Sequence, residues 1–279
     1  MESWRPSEAE IEHYREHGWL VTPPVLCKAV LEDAEFGAAR FYEGERDWKL
    51  PVAGGFLDWT PAQGPGLRIN DYISLQNIEI NNLVRQPIIG AIAAHLTGSQ
   101  VIRLFHDQMI CKPPGEVTPV GWHVDLSYWK TCTEAESMLT AWIPFQDCSV
   151  DLGTLTIIDR SHSWVGNEWM STFTESDLDS LETRFITNGD SVIKVPLLLN
   201  RGQMSFHHSR AIHGGTANVT SVPRLALAVH LQPGSNQYKP AADSMGKPIV
   251  HMNDLLCRKN QHGLPDYTDP EICPTLWSR

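Results

Sequence analysis

The sequence has no CxxC pair, no run of basic residues and no apolar stretch of transmembrane length, and each absence removes a class of protein. Cys27, Cys111, Cys132, Cys148, Cys257 and Cys273 lie scattered, without zinc-knuckle spacing, in a chain too large to need stapling, so they read as free thiols. Lys plus Arg number 22 against 33 Asp plus Glu, a net charge of −11, and nothing in the chain would track a phosphate backbone. Nucleic acid is therefore not an expected partner. Met1 to Leu20 mixes Glu, Arg and His without a signal-peptide core, and Trp277-Ser278-Arg279 is not a peroxisomal address. A cytoplasmic protein without a membrane partner is the expectation. Internal repeats are also missing.

What is present is ordinary material for a core: 42% hydrophobic and 20% charged residues, which argues against disorder. At 279 residues one large domain is preferred over two small ones, because all-β barrels often run past about 200 residues. Pro6-Ser7-Glu8-Ala9-Glu10 predicts a helix capped by Ser7, with Ile11 and Tyr14 on its apolar face and Gly18 as its stop. A short strand follows over Trp19 to Val25, then a helical pattern over Ala29 to Phe41. Gly- and Pro-rich Pro51 to Gly66 reads as an ordered loop, and Leu83 to Leu96 as another helix ended by Gly98. From Val101 the texture changes to strands: Val101 to Lys112, Gly121 to Leu126, Met138 to Phe145, Gly153 to Ile158, Val192 to Val195, Gln203 to His207 and Arg224 to Gln232. Many short strands after an early helical segment predict an antiparallel barrel or jelly roll with helices outside. Gly234 to Arg279 shows little periodicity; it would cover the barrel or join an oligomer contact.

The densest chemical signal is Gly121-Trp122-His123-Val124-Asp125, followed 88 residues after Asp125 by His213. On a strand, His123 and Asp125 would project to the same side. With His213 they would form a facial triad of two imidazoles and one carboxylate, which suits non-haem Fe(II). On the pair alone, a hydrogen-bonded turn histidine and a capping aspartate are the competing readings. Further on, Phe206 to Gly215 leads to Asn218 and then to Pro223-Arg224-Leu225-Ala226-Leu227-Ala228. Arg224, Ala226, Ala228 and His230 would share one strand face, leaving room beside the guanidinium for a carboxylate. An exposed salt bridge is the plainer alternative for Arg224.

The chain resembles the phytanoyl-CoA dioxygenase family of Fe(II)- and 2-oxoglutarate-dependent oxygenases over most of its length. The resemblance is carried by Glu10 to Val21, by Lys112-Pro113-Pro114-Gly115, by Trp122-His123-Val124-Asp125, by Leu139 to Pro144, and by His213, Asn218 and Arg224. It implies a fold that is mainly β with flanking helices around a double-stranded β-helix, the jelly-roll or cupin-like core. Residues 1–100 would be helical support, 101–233 the core and 234–279 a C-terminal extension. It further implies that His123, Asp125 and His213 bind iron and that Arg224 grips the distal carboxylate of 2-oxoglutarate. Gln108 faces the same way as Leu104, His106, Ile110 and Lys112 on its strand, and relatives use a glutamine there toward the cosubstrate. Trp129 and Thr140 stand at positions resembling the family's pocket lining, with core packing as the other reading. Gly215 replaces the small hydroxyl residue often found two positions after the distal histidine, so no hydroxyl contact to the cosubstrate is expected there.

Fe(II), 2-oxoglutarate and dioxygen are thus the expected cofactor and cosubstrates, with oxidation of an unactivated C–H bond of a small-molecule metabolite or natural product and release of succinate and carbon dioxide. Asp125 disfavours halogenation, since halogenating relatives lack this carboxylate. Desaturation, ring closure and demethylation stay open beside hydroxylation, as do monomer and homodimer. Substrate contacts are expected from Phe56 to Trp59, Tyr72, His106, Glu116 to Val120, Tyr128, Trp129 and Arg210. The rivals are a cupin-type metalloenzyme without a keto acid, which Arg224 argues against, and a barrel that only binds a ligand.

Overall fold

Ser7 sets the first boundary: its hydroxyl accepts from the Glu10 amide while the Glu10 carboxylate accepts from the Ser7 amide. The helix α1 (Glu8–His17) then ends at Gly18, whose φ of 80° brings its N–H to the Tyr14 carbonyl. The structure, a computed structural model, describes residues 4–52 and 54–279; Met1 to Ser3, the start of the N-terminal stretch read above, and Ala53 lie outside the described residues. After α1 come β1 (Trp19–Val21), α2 (Lys28–Tyr42), β2 (Arg68–Asp71), α3 (Ile78–Val84), α4 (Pro87–Thr97), β3 (Val101–Lys112), β4 (Val120–His123), β5 (Leu139–Pro144) and β6 (Leu155–Ile158). The chain continues through α5 (Leu178–Glu182), β7 (Lys194–Pro196), β8 (Ser205–His208), β9 (His213–Gly215), β10 (Arg224–Pro233), β11 (Ala241–Ala242), β12 (Pro248–Ile249), α6 (Met252–Leu256) and β13 (Thr275–Ser278).

Two antiparallel sheets make the core, a mainly β double-stranded β-helix with helices outside, as expected. One runs β1-β8-β5-β10-β3-β13 with β2 also on β3, and the other runs β4-β9-β6-β7. The outer face of the larger sheet carries Met109, Leu139, Ala141, Ile143, Phe206, Leu227 and Val229, which pack against Leu31, Phe41, Leu83, Ile92 and Leu96 of the helices. Its inner face looks at the smaller sheet across a cavity. That division follows from strand alternation: Leu227 and Val229 go out while Arg224, Ala228 and His230 line the cavity.

The structure departs from the sequence reading chiefly in three places. The helix read over Leu83 to Leu96 is two helices, because Pro87 has no N–H to donate and opens α4 afresh. The strand read over Gly121 to Leu126 stops at His123, and Asp125 to Tyr128 form a 3-10 turn. In β3 a bulge lies opposite the step from His230 to Leu231, with His106 paired to His230 and Leu104 to Leu231. Phe105 is the extra residue, so Leu104 turns to the helical core and does not share a face with Gln108. The C-terminal residues 234–279 cover the barrel, one of the two roles expected of them: β13 pairs with the start of β3, and Ile249, Val250, His251 and Met252 line the cavity.

Candidate active site

His123 ends β4 and His213 opens β9, and the two are register partners whose ring centroids lie 4.1 Å apart. Asp125 projects to the same side as His123, as expected, with Val124 packed behind beside Trp122, although β4 ends at His123 and Asp125 opens a 3-10 turn. Val124 holds extended geometry, and the Ser127 hydroxyl pins the turn by donating to the carbonyls of Val124 (2.8 Å) and Met170 (3.0 Å). One donor atom from each of His123, Asp125 and His213 lies within 4.8 Å of the other two, and all three residues are buried.

The donor set fits a divalent ion. Nδ1 of His123 lies 2.8 Å from the Gly121 carbonyl and Nδ1 of His213 lies 2.9 Å from the Ala211 carbonyl. A carbonyl accepts only, so each ring carries its proton on Nδ1 and presents the Nε2 lone pair to the shared point. Burial lowers both imidazoles from their ordinary value, favouring the neutral form that ligates. For Asp125, burial works the other way, but the His213 and His207 imidazoles outweigh it and hold the carboxyl well below the usual carboxylate range. Two neutral nitrogens and one anionic oxygen, with no thiolate, are ligands that Fe(II) accepts.

The cavity around this triad has a volume of about 820 Å³, within the range of small-molecule sites. Its wall includes Ile110, Trp142, Leu155, Gly215, Ala228 and Arg224. Arg224 is only 3% exposed, forms no ion pair among the described residues, and its nearest acceptor is the Ile110 carbonyl at 3.5 Å. Its Nε has no hydrogen-bond partner among the described residues. Burial lowers the guanidinium somewhat, yet an arginine starts so far above neutrality that it stays charged. The wall also includes Phe56, Asp71, Tyr72, His106, Gln108, Trp129 and His251.

The sequence-predicted residues sort clearly. His123, Asp125, His213, Arg224, Gln108, Thr140, Trp129, His106, Tyr128 and Tyr72 all line this one cavity. Gln108 donates from Nε2 to Asp71 Oδ1 at 2.7 Å, so its amide is engaged on the side of His106 and Tyr72. The Thr140 hydroxyl donates to Asp125 Oδ2 at 2.5 Å, which gives it a role on the triad itself. Trp129 meets His230 edge-on at 5.3 Å. Tyr72 spends its hydroxyl on Asn253, at 2.8 Å, and offers its ring.

Several expected substrate contacts fail. Trp59 stands outside the cavity: its indole N–H donates to the Gly64 carbonyl and its ring carries the Arg68 guanidinium at 4.4 Å. Arg210 is likewise turned away, donating to the carbonyls of His162 and Trp164 and pairing with Glu168 at 2.8 Å. Of Glu116 to Val120 only Val120 reaches the cavity, and of Phe56 to Trp59 only Phe56 and Leu57 do. Sequence reasoning left Asp71, Phe173, His207 and His251 unassigned, although all four belong to the wall or stand beside the triad. Only His207 carried a signal, as one of two adjacent histidines on a strand, and alternation alone does not say which of the two faces inward.

The sequence model of the phytanoyl-CoA dioxygenase family matches residues 14–226. No curated protein sequence matches the chain. Among solved structures, the non-haem α-ketoglutarate-dependent epimerase SnoN of nogalamycin biosynthesis, in complex with Fe3+, α-ketoglutarate and a nogalamycin compound, superposes with a TM-score of 0.70 at 23% identity, covering 96% of this chain and 98% of its own. The carbocyclase SnoK of the same biosynthesis gives 0.68 at 23% identity, covering 88% of this chain and 94% of its own. EctD from S. alaskensis, solved with 2-oxoglutarate and 5-hydroxyectoine, gives 0.66 at 16% identity, covering 84% of this chain and 79% of its own. At these identities the likeness is one of fold.

Proposed function

The chain belongs to the phytanoyl-CoA dioxygenase family and is a non-haem Fe(II)- and 2-oxoglutarate-dependent oxygenase, and within that frame we propose that His123, Asp125 and His213 hold the iron, that Arg224 grips the distal carboxylate of 2-oxoglutarate, and that the substrate is a small metabolite or natural product bound between Tyr72, His106 and Trp129. The observation that carries the reading is Arg224, a buried guanidinium without an anion, in the same cavity as a buried triad. An unpaired buried charge costs several kcal/mol, and a dicarboxylate chelating the triad's ion would bring the missing partner.

Bound iron and keto acid supply the oxidative chemistry, in which dioxygen is consumed, 2-oxoglutarate becomes succinate and carbon dioxide, and a substrate C–H bond is oxidised. The protein's part is to bind, orient and exclude water. The Gly121 and Ala211 carbonyls fix the two imidazoles in the ligating tautomer. Gly214 and Gly215 keep the wall beside the triad free of side chains. Phe173 packs edge-on to His123 at 4.9 Å and shields that side of the triad. The wall draws on the N-terminal loop, both sheets and the C-terminal segment, which supports treating the chain as one catalytic unit. No helix among the described residues is long and apolar enough to cross a membrane, and six free thiols fit the reducing cytoplasm.

Anaerobic titration of the protein with Fe(II) and 2-oxoglutarate tests this. A weak visible charge-transfer band, absent in His123→Ala, is the expected result. Iron bound without any band would sink the keto-acid reading and favour a cupin metalloenzyme. A metabolite screen reading succinate release then searches for the substrate, since a true substrate accelerates turnover above the uncoupled background.

A further inference from the structure

Asp125 presents its two oxygens to different surroundings. Oδ1 faces the ligating nitrogens, 3.8 Å from His123 Nε2 and 3.6 Å from His213 Nε2. Oδ2 faces the larger sheet, where Thr140 Oγ1 lies at 2.5 Å, His207 Nε2 at 3.3 Å and His230 Nδ1 at 3.8 Å. These three residues form one rung of three adjacent strands: His207 on β8 is paired with Thr140 on β5, and Thr140 with His230 on β10. The Thr140 hydroxyl has one proton, which it gives to Asp125, so at 2.8 Å it accepts from His230 Nδ1–H. His207 is the member left over. It is 1% exposed, and neither ring nitrogen has a hydrogen-bond partner among the described residues.

A buried imidazole carries at least one N–H that needs an acceptor, and Oδ2 of Asp125 is the carboxylate oxygen it faces. We propose that His207 is a positioning residue for the metal centre: its Nε2–H, beside the Thr140 hydroxyl, occupies Oδ2 so that Asp125 offers the ion Oδ1 alone. The consequence is a count of open positions. A six-coordinate ion held by two imidazoles and one carboxylate oxygen keeps three, enough for a chelating keto acid and one further ligand. Held by both carboxylate oxygens it keeps two, and the keto acid fills them.

The inference rests on the proposed metal site, so its test reads metal binding without turnover. Fe(II) alone is titrated anaerobically, by calorimetry, into wild type, His207→Phe and His207→Gln. Partners of ligands typically contribute 10- to 100-fold in affinity. His207→Phe, of similar volume but without a donor, is expected to bind Fe(II) about 10- to 100-fold more weakly, while its metal-free melting temperature stays close to wild type. His207→Gln, which keeps an N–H, is expected to recover most of the loss. Wild-type affinity in His207→Phe overturns this inference and leaves the metal site standing. Equal losses in both variants overturn the donor role, and a wild type that binds no Fe(II) overturns the metal site and the inference together.

Discussion

Arg224 and Lys112 are cross-strand partners on β10 and β3, both buried and both cationic in kind, yet their chemistry differs. Lys112 Nζ donates to the carbonyls of Gly215, at 3.0 Å, and Thr216, and burial and then the neighbouring Arg224 push its ammonium down to about 6. Near neutral pH it is a largely uncharged brace for β9, while Arg224 keeps its charge. Arg224→Gln is therefore expected to weaken 2-oxoglutarate binding by at least about 30-fold, corresponding to the roughly 2–5 kcal/mol for truncating one side of a buried charge pair, with Fe(II) affinity in the absence of 2-oxoglutarate unchanged. Lys112→Met is expected to do the reverse, lowering the melting temperature by leaving two carbonyls unpaired while changing cosubstrate affinity little. Titrating the visible band against 2-oxoglutarate separates the two, and equal losses of affinity in both variants would contradict the division of labour. At this scale the triad and Arg224 were legible because an HxD pair, a distal histidine and an arginine lie in an ordered pattern along the chain. Asp71, His207 and His251 were not, because their place in the cavity wall is set by register and by long-range packing, which single residues do not announce.

Elements were readable where a local device ends them and unreadable where a neighbour does. Ser7, Glu10 and Gly18 bound α1 by their own hydrogen bonds, and β3 was read with the same limits as it has in the structure. The end of β4 depends instead on the segment from Met170 to Glu175, which is remote in sequence: the Val124 amide donates to the Met170 carbonyl and the Gly121 amide to the Phe173 carbonyl. Gly121 makes this close approach feasible, since a Cβ there would lie 2.1 Å from the Thr172 carbonyl oxygen and 2.4 Å from that of Glu175. Backbone cannot yield as a flexible side chain does. Gly121→Ala is therefore expected to push the 170–175 segment off β4 and to destabilise the protein by about 1–3 kcal/mol, the usual cost of overpacking. Because Phe173 and the Gly121 carbonyl both touch His123, Fe(II) affinity should fall as well. Urea unfolding of the metal-free protein and calorimetric Fe(II) titration measure the two effects; a wild-type unfolding midpoint would show that the segment tolerates displacement.

Taken as a whole, the molecule holds half-buried histidines from elements far apart in the chain, and folding must keep them neutral. His208, at the end of β8, is driven down to about 3 by burial and then by His162, Arg210 and His207. His251, which caps α6, is driven to about 3 by burial and by His106 and His230, with Asp71 opposing. The residues around His251 come from β2, β3, β10 and the C-terminal segment, whose Asn253 bonds to Tyr72 and to the Phe105 carbonyl. No periodicity in residues 234–279 foretold that closure, because it rests on single side chains reaching across the fold. In both histidines the folded value lies below the unfolded value of about 6.5, so between the two the unfolded chain binds more protons. Their contribution is complete above about pH 6.5 and is lost as pH falls toward 3, at up to roughly 1.4 kcal/mol per pH unit for each. The metal-free protein is therefore expected to lose stability steeply between pH 6.5 and 5, above the range where ordinary carboxylates titrate. His251→Asn keeps an N-cap acceptor for the Asn253 amide and removes one titrating group. Its unfolding free energy, measured in urea across that interval, should fall less steeply than wild type by up to about 1.4 kcal/mol per pH unit, and an unchanged slope would mean that His251 protonates in the folded protein as readily as in the unfolded chain.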